Sequence, residues 1–380
     1  MARTRATLAQ VAARAGVSVS TASLAFSGSG PVSAATRERV LAAAEVLDYA
    51  GPDPRGRSLR QGRSGIIGVI MEDRVLAAFR DPVRIAVLDG IAQETTSQGR
   101  GLLLLSDIGA SADAIGTATM DAAILFGFST RIDPTVDLLR RRGLPVVAIG
   151  GPDRGRLTIS IDDEAASATV ARHLADLGHR DVAIVALPLI NVEPTTRSAG
   201  RTDDRSAAFG PAEPERREQA GPSIRARGPL TPQAERAGTV TVTLDRLRGV
   251  RTVFPDSTGV VAAGSSVEEG MIAGHALLDD STRPTAVIAQ SDLLAAGVIG
   301  AAAELGLSVP DDLSVVGFDG IALDRVIAHD LTTMVQPASE EGRAAGRAVM
   351  ALLDGGEPES QRFRCAFHRG ATTAPPPTAS

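Results

Sequence analysis

Apolar residues recur in two different rhythms along the chain, and the change of rhythm divides it. Over the first fifty or so positions they fall at helical spacing. Leu8, Val11, Ala12 and Ala15 share one face, Thr7 and Gln10 form a capping-box pair ahead of them, and Gly16 stands where a left-handed turn ends a helix. Ser18 then caps a second helix through Val19, Ser20, Thr21, Ala22 and Ser23. Two helices joined so tightly cross steeply, which is the helix-turn-helix arrangement. A third, capped by Ser33 and running from Thr36 to Leu47, is expected to turn Val40, Leu41, Ala44 and Leu47 inward.

Beyond this segment unbroken aliphatic runs alternate with amphipathic stretches. The runs are Ile66–Met71, Leu102–Leu105, Ala122–Phe126, Val146–Ile149, Val182–Leu187, Ala286–Ala289 and Leu313–Phe318. Between them lie helical patterns over Val83–Gln98, Asp133–Arg142, Ala165–Leu177, Val267–Leu278, Leu294–Leu305 and Glu340–Leu353. Strands buried on both faces read as continuous apolar runs, so the pattern predicts an α/β doubly wound architecture. The length exceeds one such sheet, so two subdomains are expected. Ligands of open α/β sheets sit beyond the carboxyl ends of strands. The polar residues placed there are Asp73, Ser106, Asp107, Asp162, Asp163, Ser291, Asp292 and Asp319. Asp163 and Asp292 read equally well as helix N-caps.

Residues 191–238 break the rhythm, with six Pro and eight Arg against seven acids and few large apolar side chains. Such a stretch buries too little surface to order itself, so it reads as a disordered surface insertion or a lid over the cleft. Thr239–Thr243, TVTVT, reads as a strand where the chain re-enters the fold, and the tail 371–380 as disordered.

Composition narrows the chemistry. All 39 basic residues are Arg, so a Walker A lysine and a Schiff base are absent. The one cysteine, Cys365, excludes an intrachain disulfide and a cysteine-built zinc site and reads as an inert thiol. His173, His179, His275, His329 and His368 show no HExxH spacing, there is no G-x-S-x-G elbow, and the glycine-rich stretches 28–31 and 149–155 lack a dinucleotide-binding context. No enzyme, no cofactor and no metal are expected. No apolar run reaches the roughly 18 residues of a membrane span, and the N-terminus lacks a secretory h-region; the expectation is a cytoplasmic protein. The net charge is −6, yet residues 1–64 hold nine Arg against four acids, so a +5 segment precedes an acidic body. That asymmetry suggests a polyanion reader joined to something that does not bind polyanions.

Thr7 to Tyr49, TLAQVAARAGVSVSTASLAFSGSGPVSAATRERVLAAAEVLDY, followed by Pro52 to Ile70, PDPRGRSLRQGRSGIIGVI, resembles the LacI/GalR family of bacterial transcriptional regulators. The family order of helix-turn-helix, VSxxTR helix, tyrosine, RSLR hinge and first core strand recurs here. The resemblance implies an N-terminal all-α helix-turn-helix domain (1–50), a hinge (51–64) and an α/β periplasmic-binding-protein-like core (65–370) of two doubly wound subdomains joined by three crossovers. It places Ser18, Val19, Ser20, Thr21, Ser23 and Leu24 on the helix that reads the major groove. Thr7, Ser33, Thr36 and Tyr49 fall at phosphate-contacting positions. Arg57, Ser58 and Leu59 lie in the hinge, with Leu59 matching the leucine wedged into the minor groove. Ala22 stands where the family usually has Val, Leu24 where many members have Arg, and Gly56 where Ala is usual. In the core, Arg246 of RLRG and Asp319 of GFDG match effector-binding positions, with Ser291, Gln336, Asp73, Asp163 and Asp292 as further candidates. The implied protein is a homodimer on a palindromic double-stranded DNA operator, a repressor, with a small polar, sugar-like effector. Trp is absent and Tyr49 is the only Tyr, which leaves Phe79, Phe126, Phe128 and Phe318 as aromatic options for stacking on a sugar. The alternative readings are a solute-binding protein of the same core fold and an α/β enzyme with a regulatory appendage.

Overall fold

The computed structural model describes residues 6–28, 30–51, 62–108, 112–127, 129–151, 155–190, 228–279, 283–323 and 326–377. The chain divides into two compact units, one ending at Gly65 and one beginning at Ile66.

The first unit holds α1 (Leu8–Ala15), α2 (Val19–Ser27) and α3 (Ala34–Val46). Thr7 caps α1, its Oγ1 accepting from the Gln10 amide at 3.3 Å while Gln10 Oε1 accepts from the Thr7 amide at 2.8 Å. Gly16, at φ +67°, ends α1 in the left-handed region. Ser18 and Ser33 cap α2 and α3 in the same way. The core is small: Val11, Ala12, Ala22, Ala25, Val40, Ala43 and Ala44 are buried. Leu41 was expected inside but is 46% exposed, because Val40, Ala43 and Ala44 already define the inward face and Leu41 lies about 100° round the helix from Val40. Arg37 of α3 donates from Nε to the Ala25 carbonyl at 3.1 Å, satisfying a carbonyl in the last turn of α2.

The second unit is built on two sheets. One joins β1 (Ile66–Met71), β2 (Gly101–Ser106), β3 (Ala122–Phe126), β4 (Val146–Ile149), β5 (Leu157–Ile161) and β12 (Gln361–Phe363), all parallel, in the order β12-β5-β4-β3-β1-β2. The other joins β6 (Val182–Ala186), β7 (Gly228–Pro229), β8 (Thr258–Val261), β9 (Ala286–Ala289), β10 (Ser314–Asp319), β11 (Thr332–Val335) and β13 (Ala366–His368). Its order is β13-β11-β10-β9-β6-β8-β7, antiparallel only at its two edge strands. Among the described residues the helices of this unit are α4 (Val75–Ala78), α5 (Pro82–Thr96), α6 (Ala112–Thr117), α7 (Asp133–Arg141), α8 (Asp163–Asp176), α9 (Pro232–Ala237), α10 (Thr241–Arg251), α11 (Val267–Leu278), α12 (Asp292–Glu304) and α13 (Ala338–Leu353). Each sheet carries its own aliphatic cores. The chain passes between the sheets from β5 to α8, from β11 to α13 and from β12 to β13.

Three expectations are corrected. Residues 228–238 are ordered, with β7 pairing against β8 and α9 capped by Thr231; residues 191–227 of the expected insertion lie outside the described residues. TVTVT does not form a strand: Val240 makes a single antiparallel bridge to Ser129, and α10 starts at Thr241. Its β-branched residues serve helix packing, since Thr243 is buried and its hydroxyl donates to the Pro188 carbonyl at 2.8 Å. Residues 371–377 are not disordered either, because they dock along β10 and the Val315 amide donates to the Thr372 carbonyl at 2.8 Å.

His179 closes that docking. Its Nε2 meets the Ala374 carbonyl at 2.8 Å and its Nδ1 the Thr285 hydroxyl at 2.9 Å. The carbonyl requires Nε2 to donate, which leaves Nδ1 to accept. Burial holds the His179 pKa below its ordinary 6.5, the Ala374 hydrogen bond opposing. A depressed folded-state pKa gives stability that is complete above the unfolded value and is lost as pH falls. Melting temperature should therefore drop between pH 7 and pH 5, and drop less in His179→Gln; parallel curves for the two proteins would refute the assignment.

Candidate DNA-reading helix and effector cleft

In the helical unit α2 presents Val19, Ser20 and Leu24 to solvent, with Thr21 and Ser23 half-buried beside them. Two of these are large apolar residues left exposed on a helix whose other face is buried. The Ser18 hydroxyl sits 2.8 Å from both the Ser20 and Thr21 hydroxyls, a compact polar cluster at the N-terminus of α2. Ser33 and Thr36 make the matching pair at the start of α3, 2.9 Å apart. Helix N-termini with short hydroxyl side chains favour phosphate contact. Tyr49 packs edge-on to Phe26 with ring centroids 5.6 Å apart, which fixes the end of α3 against α2. Arg57, Ser58 and Leu59 lie outside the described residues.

In the α/β unit a cleft of about 750 Å³ opens between the carboxyl ends of the two sets of strands. Six of the seven effector candidates line it: Asp73, Asp163, Arg246, Ser291, Asp319 and Gln336. At its floor Arg246, on α10, donates from Nε to Asp163 Oδ1 at 2.8 Å and from Nη1 to the Gln290 carbonyl. The same Nη1 stands 3.5 Å from Asp319 Oδ1, and the guanidinium carbon lies 3.6 Å from the Phe318 ring centroid. Gln336 Nε2 donates to Asp319 Oδ1 at 2.9 Å. Burial pushes the Asp163 and Asp319 carboxyls up, Asp319 strongly, and Arg246 pulls both down. Burial opposes the charge on Arg246, but Asp163 and Asp319 more than offset it, so the group stays cationic.

Asp319 has φ +125°, a region that L-residues avoid. The strained conformer is held by the partners of its carboxyl and by the turn after it, where Asp292 accepts from the Gly320 and Ile321 amides at 2.7 and 2.9 Å. Asp292 is therefore a positioning residue. Its other oxygen takes the Thr333 hydroxyl at 2.6 Å and it does not line the cleft, so its position does not support the effector contact expected of it. The N-cap reading misses by one residue: Asp162 caps α8 and Ser291 caps α12. Ser291 also accepts from the Ser265 hydroxyl at 2.8 Å. Asp73 sits at the rim, half exposed, with Arg84 at 3.4 Å. Among the described phenylalanines, Phe126 lines the cleft, Phe318 lies behind Arg246 and Phe79 is 59% exposed. Phe128 lies outside the described residues.

Sequence reasoning missed Glu72, Arg131 and Glu341, all of which line the cleft. Glu72 accepts from the Ser129 amide at 2.9 Å and hydroxyl at 2.7 Å. It directly follows the run of β1, so the carboxyl-end rule reached it and stopped one residue too far, at Asp73. Glu341 lay on the inward face of α13 with Ala338, Ala344 and Ala345, a helical spacing that could have flagged it.

Residues 7–51 match the family described as "Bacterial regulatory proteins, lacI family", and residues 171–373 the "Periplasmic binding protein-like domain". The HTH-type transcriptional regulator IpsA of Corynebacterium glutamicum is 32% identical over 386 residues, covering 97% of this chain and 98% of its own. The fold also resembles that of the lac repressor dimer bound to operator and an anti-inducer, with a TM-score of 0.71 at 21% identity over 98% of this chain and all of that one. A complex of the transcriptional regulator CelR with cellobiose aligns at TM-score 0.62 and 22% identity, over 97% of this chain and all of its own. No helix among the described residues is long and apolar enough to cross a membrane. The chain belongs to the LacI family of bacterial regulatory proteins and is a DNA-binding transcriptional regulator, not an enzyme.

Proposed function

We propose that the protein is a homodimeric repressor that reads a palindromic operator and releases or tightens on it when a small, sugar-like effector enters the cleft. The observation that carries the effector half is the grouping of Arg246 and Asp319 of the second lobe with Asp163 and Gln336, which stand where the chain passes between the sheets, in a cleft that Glu72 and Asp73 of the first lobe also line. A ligand bridging them contacts both lobes at once, so it favours one lobe angle over another. The sugar in CelR supports the ligand class. For the DNA half, α2 supplies short hydroxyls for phosphates and Val19 and Leu24 for thymine methyl groups, without the bidentate guanine contact of an arginine. The hinge residues Arg57 and Ser58 would run along the backbone, and Leu59 would act as an apolar wedge at the operator centre. The segments 1–50, 51–64 and 65–370 then serve as reader, hinge and sensor.

Full-length protein on labelled fragments selected from genomic DNA should leave a footprint with dyad symmetry, since a two-fold dimer demands paired half-sites. Affinity should fall steeply with salt. An added sugar that binds should change operator affinity by about fivefold to 150-fold. Asp319→Ala should abolish that change while leaving effector-free operator binding intact. A footprint without a dyad removes the dimer reading, and an undiminished sugar response in Asp319→Ala removes the cleft reading.

A further inference from the structure

Glu341 stands apart from every other buried acid around the cleft. Asp163 is bonded by Arg246, Asp319 by Gln336, Asp292 by two amides and a hydroxyl, Glu72 by Ser129, and Glu269 by the Ala263 amide. Glu341 is only 5% exposed and lines the cleft, yet among the described residues none donates a hydrogen bond to its carboxyl. A buried polar group without a partner is costly, and one that faces a cavity is satisfied when the cavity fills. The cation of the floor is already engaged, since Arg246 is shared between Asp163, Asp319, the Gln290 carbonyl and the Phe318 face. An anionic group reaching the floor would meet three carboxyls around one occupied guanidinium. The guanidiniums of the lining that have no partner among the described residues, such as those of Arg74 and Arg80, belong to the segment around α4, next to Asp73 and Asp81 in the chain.

We propose that Glu341 is a specificity-determining effector contact that selects a ligand presenting uncharged hydroxyls to the floor and rejects one presenting an anionic group there. The inference rests on the reading of the cleft as the effector site and adds to it a residue and a charge class. Burial pushes the Glu341 carboxyl up to about 8, with Asp163 adding to the rise and Arg246 opposing it. The protonated acid offers one O–H donor and an acceptor, the complement of a sugar or cyclic polyol carrying neighbouring hydroxyls.

Titration calorimetry of the full-length protein at pH 7 tests this with a panel of uncharged mono- and disaccharides and cyclic polyols, beside the phosphates, uronates and amino derivatives of the same compounds. An uncharged member should bind, and its phosphate or uronate should bind about tenfold or more weakly. Glu341→Gln, which imitates the protonated acid, should keep the uncharged ligand within about threefold, whereas Glu341→Leu should lose about tenfold or more while remaining folded by circular dichroism. Failure of every uncharged member to bind, preference for a phosphate, uronate or amino derivative over its parent, or wild-type affinity in Glu341→Leu overturns the inference. Wild-type affinity in Glu341→Leu with loss of binding in Asp319→Ala removes the role of Glu341 alone. Retention of binding in both variants removes the cleft reading with it.

Discussion

Gly297→Ala is expected to destabilise the α/β unit by about 3 kcal/mol or more, whereas Gly300→Ala, one turn further along the same helix, is expected to stabilise it by about 0.5–1 kcal/mol. Both glycines lie within α12, where alanine is the better helix former, so propensity favours both changes. Packing decides the sign. A Cβ on Gly297 would lie 2.2 Å from the Val267 carbonyl oxygen and 2.5 Å from the Gly270 Cα, both backbone atoms of the facing region of α11. Neither can rotate away, so relief requires the helices to separate, and their shared apolar contacts open with them. A Cβ on Gly300 would meet nothing closer than the flexible Met271 side chain, at 3.6 Å, an ordinary contact. Urea denaturation followed by circular dichroism measures both. Equal effects would show that α11 and α12 are not in backbone contact. The same device recurs in the other lobe, where a Cβ on Gly342 of α13 would reach the Val87 carbonyl of α5 at 2.1 Å.

Those close approaches explain part of what the sequence could and could not disclose. The strands that were legible, β1 through β4, β6, β9 and β10, carry continuous apolar runs, and all but the half-buried edge strand β2 are largely buried on both faces. The strands that were not, β5, β8 and β11, mix threonine, serine and glycine with their aliphatics, and Gly259 is required where a Cβ would strike the Ile184 carbonyl at 2.2 Å. β12 and β13 are short, largely exposed edge strands whose pairing is set by the far end of the chain. Helices were legible wherever an aliphatic stripe marked them, but α10 begins in β-branched residues and local propensity pointed the other way. At the site, Asp319 was already marked by its place at the end of an apolar run, whereas Arg246 and Gln336 were reached through family resemblance alone, and no spacing rule would have joined the three. Glu72 and Glu341 were open to physical reasoning alone, the first from its place after a strand and the second from helical periodicity.

Arg246→Met should cost about 3–5 kcal/mol near neutral pH, because it removes one side of a buried ion pair and leaves the other behind. Asp163 would lose its 2.8 Å hydrogen bond and Asp319 the nearest cation, while the Gln290 carbonyl would lose a donor and Phe318 the guanidinium on its face. Methionine restores most of the packed volume, so the cost is chiefly that of two carboxyls in a low-dielectric floor with no compensating charge. Without Arg246 the one large effect opposing burial at both groups disappears, and their folded-state pKa values move further above the ordinary carboxylate range. A raised folded-state pKa gives stability that is complete below the unfolded value, near 3.8, and is lost as pH rises through the folded one. The deficit of Arg246→Met relative to wild type should therefore be small near pH 4.5, grow through pH 6 and be largest above neutrality. Adding Asp163→Asn and Asp319→Asn should recover much of it, since neither amide ionises. Melting temperatures of the three proteins across that range provide the measurement. A deficit that stays constant with pH, or that the two amides fail to relieve, would mean that Arg246 holds the floor by packing against Phe318 and not by its charge.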